Sequence, residues 1–337
     1  MPTCLITGGC GFIGRHFTKK MVDLGYTTTI VDNMYSNSSL LPLNWPQHLK
    51  CDFTFIESDI LDYLHKTEHV QSTTSSDSEL SVLNEKMCNY NYSLFDIIIH
   101  AAAIVGGRET IENDPLLISH NTTIDIELFR WIEKHPVKHL IYFSSSAVYP
   151  LSLQTVEHHR KLKLDDIDII NNNISVPDLT YGWSKLTGEF LLYILSKRVN
   201  TTISIYRPFS GYGEDQHDSY PFKSIIKKVL ENKDSIDIWS DAVRDFVYID
   251  DIVNYVLDTC FHDEKIRILN IGTGIPTSMS ELANKISTIV HNKKIDVNIL
   301  DDKPKGVYYR VSHENSDYLW NTLEYGIKKT LFYYNKG

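Results

Sequence analysis

The sequence predicts an α/β fold: a doubly wound parallel sheet with a smaller C-terminal lobe. Three observations carry that prediction. First, a short apolar run, Cys4-Leu5-Ile6, leads into the glycine turn Thr7-Gly8-Gly9-Cys10-Gly11-Phe12-Ile13-Gly14, and Phe17, Met21, Val22 and Leu24 follow at roughly helical spacing. Second, further apolar runs alternate with helical patterns as far as about Ile205, which calls for parallel strands joined by right-handed crossovers. Third, the pattern beyond is less regular and reads as a lobe closing over the carboxyl ends of the strands. The approximate division is 1–208 with 243–272 for the sheet domain and 209–242 with 273–337 for the lobe.

Strand, glycine turn and helix together are the context of a Rossmann-type dinucleotide fingerprint. Gly8, Gly11 and Gly14 serve separate ends: a tight turn, a close approach of backbone to a pyrophosphate, and close packing of helix on strand. Phe12 and Ile13 open the helix, whose N-terminus offers unpaired N–H groups and a positive dipole end to phosphates. The second strand, Thr28-Thr29-Ile30-Val31, ends in Asp32 and is followed by Asn33. An acid about twenty residues past the turn receives the hydroxyls of an adenosine ribose. It also repels a 2′-phosphate, so the expected cofactor is NAD rather than NADP.

The remaining elements follow in order. Phe53 to Ser58 reads as a third strand ending at Asp59-Ile60, a loop position that lies beside the adenine in nucleotide folds. Residues 66–92 turn polar, and the serine-rich centre, Ser72 to Ser78, reads as a flexible surface loop. Phe95 to His100 reads as a buried parallel strand, opening into Ala101-Ala102-Ala103, whose small side chains leave room for a ligand at the strand end. Val105-Gly106-Gly107-Arg108 reads as a turn close to that ligand. A helix near Pro115 carries Asn121 and continues with Ile124, Ile126, Leu128, Phe129 and Ile132. His139 to Phe143 is the next buried strand, ending in Ser144-Ser145-Ser146-Ala147-Val148-Tyr149-Pro150, and 151–176 reads as a polar loop. Tyr181-Gly182-Trp183-Ser184-Lys185 opens a long helix, with Tyr181 and Lys185 on one face. Thr202 to Tyr206 is another strand, followed by Arg207-Pro208-Phe209-Ser210.

Composition removes other classes. The chain has 337 residues, a net charge of −10 and no long basic run, which argues against a nucleic-acid binder. No apolar stretch approaches the roughly eighteen residues of a membrane span, and no secretory signal is visible. Five scattered cysteines without CxxC spacing fit a reduced cytoplasmic chain with no structural metal. The pair His158-His159 lies in a polar loop without matching partners for a metal.

The motifs TGGCGFIG at 7–14, VDN at 31–33, HAAA at 100–103, SSSAVY at 144–149, YGWSK at 181–185, RDFVYIDDI at 244–252 and NIGTG at 270–274 occur in the order of the extended short-chain dehydrogenases. The chain resembles, more narrowly, the NAD-dependent nucleotide-sugar epimerase/dehydratase family, over almost its whole length. The resemblance implies a dinucleotide held by the glycine turn, Asp32, Asn33, Asp59, Ile60, Ala101 to Ala103, Tyr181, Lys185 and Pro208. It implies Tyr181 as the acid/base on a sugar hydroxyl, Lys185 as the charge that favours the phenolate and holds the nicotinamide ribose, and Ser145 as a hydrogen-bond partner of the same sugar oxygen. A free phenol titrates near 10, so such a base needs a neighbouring positive charge at neutral pH. Arg244 and Arg310 sit where the family grips the substrate's diphosphate, a role that suits guanidinium forks. Arg108, Ser146 and Ser210 are further candidate substrate contacts, and a homodimer is usual among relatives.

Departures narrow the reaction. Dehydratases of the family carry Thr-Asp-Glu where this chain has Ser145-Ser146-Ala147, and elimination of water needs that acid and base pair. Decarboxylases keep a glutamate at the position of Ala147, and 3,5-epimerases a cysteine. Two redox readings survive: NAD-dependent 4-epimerisation through a transient 4-keto sugar, on a UDP-sugar, and NAD(P)H-dependent reduction of a 4-keto sugar. Asp32 leans toward the first. A non-catalytic NAD-binding regulator is the third reading, disfavoured because Tyr181 and Lys185 are both kept.

Overall fold

A computed structural model describes residues 1–36, 38–72, 95–105, 108–171, 173–300, 302–303, 305–313 and 318–334. In chain order its elements begin with β1 (Thr3–Thr7), α1 (Phe12–Asp23), β2 (Thr27–Asp32), β3 (Thr54–Glu57), α2 (Ile60–Ser72) and β4 (Ile97–His100). There follow α3 (Arg108–Asn113), α4 (Pro115–Ser119), α5 (Asn121–Lys134), β5 (His139–Phe143), α6 (Leu179–Ser196), β6 (Thr202–Pro208) and β7 (Ser210–Tyr212). The C-terminal part adds α7 (Pro221–Glu231), β8 (Ser235–Ile238), β9 (Val243–Tyr248), α8 (Ile249–Thr259), β10 (Ile266–Ile271), β11 (Pro276–Ser278), α9 (Met279–His291), β12 (Asp296–Ile299), β13 (Tyr309–Arg310) and α10 (Leu323–Tyr334).

Among the described residues, seven parallel strands form one sheet in the order β10-β6-β5-β4-β1-β2-β3. The order reverses between β1 and β4, so the crevice beyond their carboxyl ends is where a doubly wound sheet takes its ligand. Strand period 2 divides the core. Cys4, Ile6, Ile97 and Ile99 face one apolar cluster, and Leu5, Ile98, Leu140 and Tyr142 face the other. The first face is covered by α1 and α8, and the second by α2, α5 and α6. All eight of these side chains are buried, which explains why the strands read as continuous apolar runs.

The first cluster runs on without a break into the lobe, through Tyr212, Phe222, Phe246 and Tyr248. There β9 is the centre of a small sheet, pairing with β7 and β13 in parallel and with β11 antiparallel. Residues 243–248 therefore belong to the lobe's sheet, whereas 266–271 complete the large one. The entry to α9 shows how local chemistry sets a boundary. Ser278 accepts a hydrogen bond from the Glu281 N–H (3.1 Å) while Glu281 accepts one from the Ser278 N–H (2.8 Å). Such a cap stabilises a helix start by ~1 kcal/mol. Asn292, at φ 55, turns the chain out of the helix at the other end.

Several elements differ from the pattern-based expectation. Lys66 to Ser72 continue α2 rather than opening a loop, and 73–94, with most of the expected serine-rich loop, lie outside the described residues. The helix expected near Pro115 is two helices, parted at His120. Arg108 begins α3 instead of sitting in a turn, and its side chain is not among the described ones. Residues 151–176 are a loop with internal order: bridges join Gln154 to His159, Leu162 to Ser312 and Asp168 to Asn173. Asp168 and Asn173 make the last of these by exchanging backbone N–H to carbonyl bonds (2.9 and 2.8 Å), and the Asp168 carboxylate accepts from the Ile170 and Asn171 N–H groups within the turn. Among the described residues no helix is long and apolar enough to cross a membrane.

Candidate active site

The glycine turn lies against the end of β4. Gly8 has φ 68, and a Cβ there would stand 2.7 Å from the Ala102 backbone. A Cβ on Gly14 would stand 2.2 Å from the Gly8 carbonyl oxygen. Neither neighbour is a flexible side chain, so only glycine allows this approach. Gly11 is the N-cap of α1 and supplies no side-chain cap, which leaves the first N–H groups of the helix open to an anion. Phe12 and Ile13 are half-buried beside it.

Asp32 ends β2 next to this turn. It accepts from the Cys10 N–H (3.0 Å), the Met34 N–H (2.8 Å) and the Ser39 hydroxyl (3.4 Å). Burial raises its pKa, and these bonds oppose the rise. Asn33 donates to Asp59 (2.9 Å), whose other oxygen accepts from the Leu61 N–H (2.9 Å) at the start of α2, where Ile60 is buried. Ala101 to Ala103 continue from β4 half-buried, and Pro208 closes β6 opposite Ile271. The expected dinucleotide residues thus gather at one sheet edge. The cradle fits such a group: two positions where a Cβ would strike backbone, an uncapped helix end, and a carboxylate at the next strand end.

Tyr181 and Lys185 project from α6. The chain enters that helix through Leu179 at φ 52, a left-handed conformation costing roughly 1–2 kcal/mol for a non-glycine residue. The turn is tied down where Asp178 donates its N–H to the Ala147 carbonyl (2.9 Å). Gly182 packs on the same carbonyl, and a Cβ there would lie 2.4 Å from it. Burial pushes the Tyr181 phenol above its usual value, as does Tyr220, while a hydrogen bond with Ser145 and the charge of Arg310 pull it down. Ser145 also accepts from the Ala147 N–H (3.1 Å), which fixes its place at the end of β5. Ser146 is buried behind it.

Lys185 is 2 % exposed, with Nζ 4.9 Å from the centre of the Tyr142 ring. Burial lowers its pKa, and the carboxylates of Asp125 and Glu189 oppose that. Ser145 and Arg310 thus lower Tyr181, and Lys185, one turn on, lies buried over the Tyr142 ring.

Arg310 on β13 lies in register beside Arg244 on β9. Arg310 donates to Gln154 (2.7 Å) and to Asp178 (2.7 Å), the residue just before α6. Arg244 donates to the carbonyls of Val243 and Val307 (both 2.9 Å) and Tyr308 (3.3 Å). Two guanidinium groups on adjacent strands repel each other and favour an anion between them. Asp245, fully buried, accepts from Thr273, Gly274 and Ser312 and so ties the NIGTG loop to the strand that carries Arg310. Ser210 is half-buried in β7 beside Phe246. His159 packs its ring on Tyr309, with centroids 4.8 Å apart.

Sequence reasoning missed Gln154, Asp178, His100 and Asp125. Asp125 left a readable signal: it falls on the apolar face of α5, three and four residues before the buried Leu128 and Phe129. Ile126, taken as part of that face, is 36 % exposed.

A family model described as the NAD dependent epimerase/dehydratase family matches residues 4–272. A protein of Methanocaldococcus jannaschii, provisionally named a UDP-glucose 4-epimerase, is 28% identical over 316 residues, covering 91% of this chain and 88% of its own. A UDP-N-acetyl-alpha-D-glucosaminuronate decarboxylase of Bacillus cytotoxicus is 27% identical over 309 residues, covering 89% and 84%. The structure of Thermus thermophilus UDP-glucose 4-epimerase in complex with NAD superposes with a TM-score of 0.75 at 19% identity, over 99% of each chain.

Proposed function

The chain belongs to the NAD dependent epimerase/dehydratase family, and from that premise we propose that it is a nucleotide-sugar 4-epimerase acting on a UDP-sugar through a transient 4-keto sugar. It is an enzyme of the epimerase/oxidoreductase class, and its family's cofactor is NAD.

One observation carries the choice of reaction. Ala147 stands in the turn between Ser145 and Tyr181, buried at 4 % exposure and with its carbonyl taken by the Asp178 N–H. An acid or base beside Tyr181 is what elimination and decarboxylation relatives place there, and a methyl group does neither. What remains is a single acid/base, Tyr181, bonded to Ser145. That set moves one proton on one hydroxyl.

In this reading Gly8, Gly11, Phe12, Ile13 and Gly14 hold the pyrophosphate of NAD, and Asp32 and Asn33 the adenosine ribose. Asp59 and Ile60 flank the adenine. Ala101 to Ala103, Lys185 and Pro208 line the nicotinamide end. NAD held there would supply the hydride acceptor and donor for C4 of the sugar. The chain's own residues handle the proton. Tyr181 removes it from the C4 hydroxyl and gives it back, Ser145 hydrogen-bonds the same oxygen, and the charge on Lys185 favours the phenolate.

Arg244 and Arg310 hold the diphosphate. Arg108, Ser146 and Ser210 line the sugar's side, where the keto sugar turns over. The division is 1–208 with 243–272 for the dinucleotide and 209–242 with 273–337 for the nucleotide sugar, except at β9, whose residues 243–248 pair with the lobe's strands and form the seam. The helix α6 shows Trp183, Phe190 and Ile194 on one exposed face, which supports a homodimer. A cytoplasmic location completes the proposal, in keeping with the free thiols of Cys4, Cys10, Cys51 and Cys260.

The test is incubation of the purified protein with a panel of UDP-sugars and no added cofactor. Inversion at C4 is expected. Absence of inversion across the panel, with prompt consumption of NADH on a 4-keto sugar, would establish the ketoreductase instead.

A further inference from the structure

Under the Tyr181–Lys185 turn lies a closed polar chain that crosses the sheet. The Thr7 hydroxyl meets Nδ1 of His100 at 2.6 Å, and Nε2 of His100 meets Oδ1 of Asp125 at 3.0 Å. The Tyr142 hydroxyl donates to Oδ2 of Asp125 at 2.5 Å. A carboxylate only accepts, so His100 carries its proton on Nε2 and accepts from Thr7 on Nδ1. All four side chains are at most 1 % exposed. The helix is shaped for this contact. At Gly188, a Cβ would stand 2.2 Å from the Tyr142 oxygen and 2.6 Å from Oδ2 of Asp125.

The charges in this region do not pair evenly. Glu189 is the other carboxylate near Lys185. It is gripped by both ends of the Arg207 guanidinium (2.9 and 2.7 Å) and accepts from Ser144 (2.5 Å). Its charge is thus matched by a buried arginine. Among the described residues Asp125 has His100 and Tyr142 as its hydrogen-bond partners, and burial drives His100 toward its neutral form, against the pull of Asp125. The next cation is Lys185, lying on the face of the ring whose hydroxyl binds Asp125. A buried lysine without a counter-charge loses its proton readily.

We infer that Asp125 is a positioning residue for the acid/base pair: a carboxylate that keeps Lys185 an ammonium ion in the interior, acting across the Tyr142 ring. This rests on the proposed roles of Tyr181 and Lys185. The groups facing Asp125 and Lys185 are His100 from β4, Tyr142 from β5, and Tyr181, Gly188 and Glu189 from α6, with Glu189 neutralised by Arg207 of β6.

Asp125→Asn separates charge from shape. The amide oxygen still accepts from His100 and the amide NH2 still reaches Tyr142, while the negative charge is gone. Tyr142→Phe keeps the charge and the ring but loses one hydrogen bond. The direct readout is the ionisation of Lys185, followed by NMR of lysine side chains labelled at Cε and assigned with Lys185→Arg. In the wild-type protein Lys185 should be charged at neutral pH. In Asp125→Asn it should lose its proton at a pH at least about one unit lower, a tenfold shift, and in Tyr142→Phe close to the wild-type value. The alkaline limb of kcat for 4-epimerisation should move with it, with KM unchanged.

A wild-type Lys185 found neutral at pH 7 overturns the inference, even if Asp125→Asn fails to fold. So does a lysine titration that Asp125→Asn leaves in place. A Lys185 that shifts as expected in a protein without turnover on any nucleotide sugar upholds the role of Asp125 and refutes the proposed reaction.

Discussion

The glycine cradle, at the end of β1 in the large sheet, and the arginine edge, on β9 and β13 of the small one, are built by different means. The cradle is backbone: Gly8, Gly11 and Gly14 are within seven residues, and Gly8 and Gly14 are required by the backbone atoms beside them. The edge is side chains drawn from far apart. Arg310 is held by Gln154 and Asp178, 156 and 132 residues away, and Arg244 reaches it only because β13 pairs with β9. A region made of backbone has few admissible sequences, and its motif is rigid. A region made of ion pairs can be assembled in many ways. Tyr181 stands between the two, bonded to Ser145 on one side and within the field of Arg310 on the other.

The largest effect should come from the point where the regions meet. Tyr181→Phe should lower kcat by roughly 10³-fold, within the usual range for a general acid/base, while bound dinucleotide and KM hold steady. Steady-state rates with measurement of released dinucleotide check this. Gly14→Ala probes the cradle alone. Its methyl group meets the Gly8 carbonyl, and ~1–3 kcal/mol of stability should be lost, together with dinucleotide retention, as seen by thermal unfolding and by absorbance of the denatured supernatant. Arg310→Ala probes the edge. Loss of one charge-assisted contact, about 1.5 kcal/mol, should raise KM for the nucleotide sugar roughly tenfold, with a smaller fall in kcat because a charge that lowers the Tyr181 phenol is lost as well. If Gly14→Ala changed only KM, or Arg310→Ala released the dinucleotide, the two regions would not be the separate devices described.

The smallest effect concerns the link between them. Asp215, in the lobe's loop after β7, forms buried ion pairs with Arg15 and with His16 (2.8 Å) of α1. Burial alone would raise its pKa, but His16 and Arg15 hold it well below the ordinary value of 3.8. A carboxyl depressed in the folded state binds fewer protons there than in the unfolded chain. Its stabilisation is full above about pH 3.8 and is lost as pH falls toward the folded value. Asp215→Asn should flatten that part of the stability profile, measured by denaturant unfolding from about pH 5 down to about pH 2.

The same contrast explains what could be read from the sequence. The order of strands, the glycine turn, Asp32 and the Tyr181–Lys185 spacing depend on local periodicity and short motifs, and the sheet has the expected parallel order. The α4–α5 break at His120 has no strong punctuation in the sequence. The internal order of 151–176 depends in part on Gln154 finding Arg310 and Leu162 finding Ser312 through tertiary contacts. Arg244 and Arg310 were legible as a pair of cations through family resemblance, but the partners that position them were not. Asp125 was visible as an acid on an apolar helix face, and only the neighbouring β4, β5 and α6 show what it is for.

The most direct test of the account follows C4 of the sugar by NMR while purified protein, with no added cofactor, acts on UDP-sugars in deuterated water. The account predicts inversion at C4, no solvent deuterium at that carbon, and an unchanged total of bound dinucleotide. No inversion on any sugar of the panel, or deuterium incorporated at C4, would contradict it.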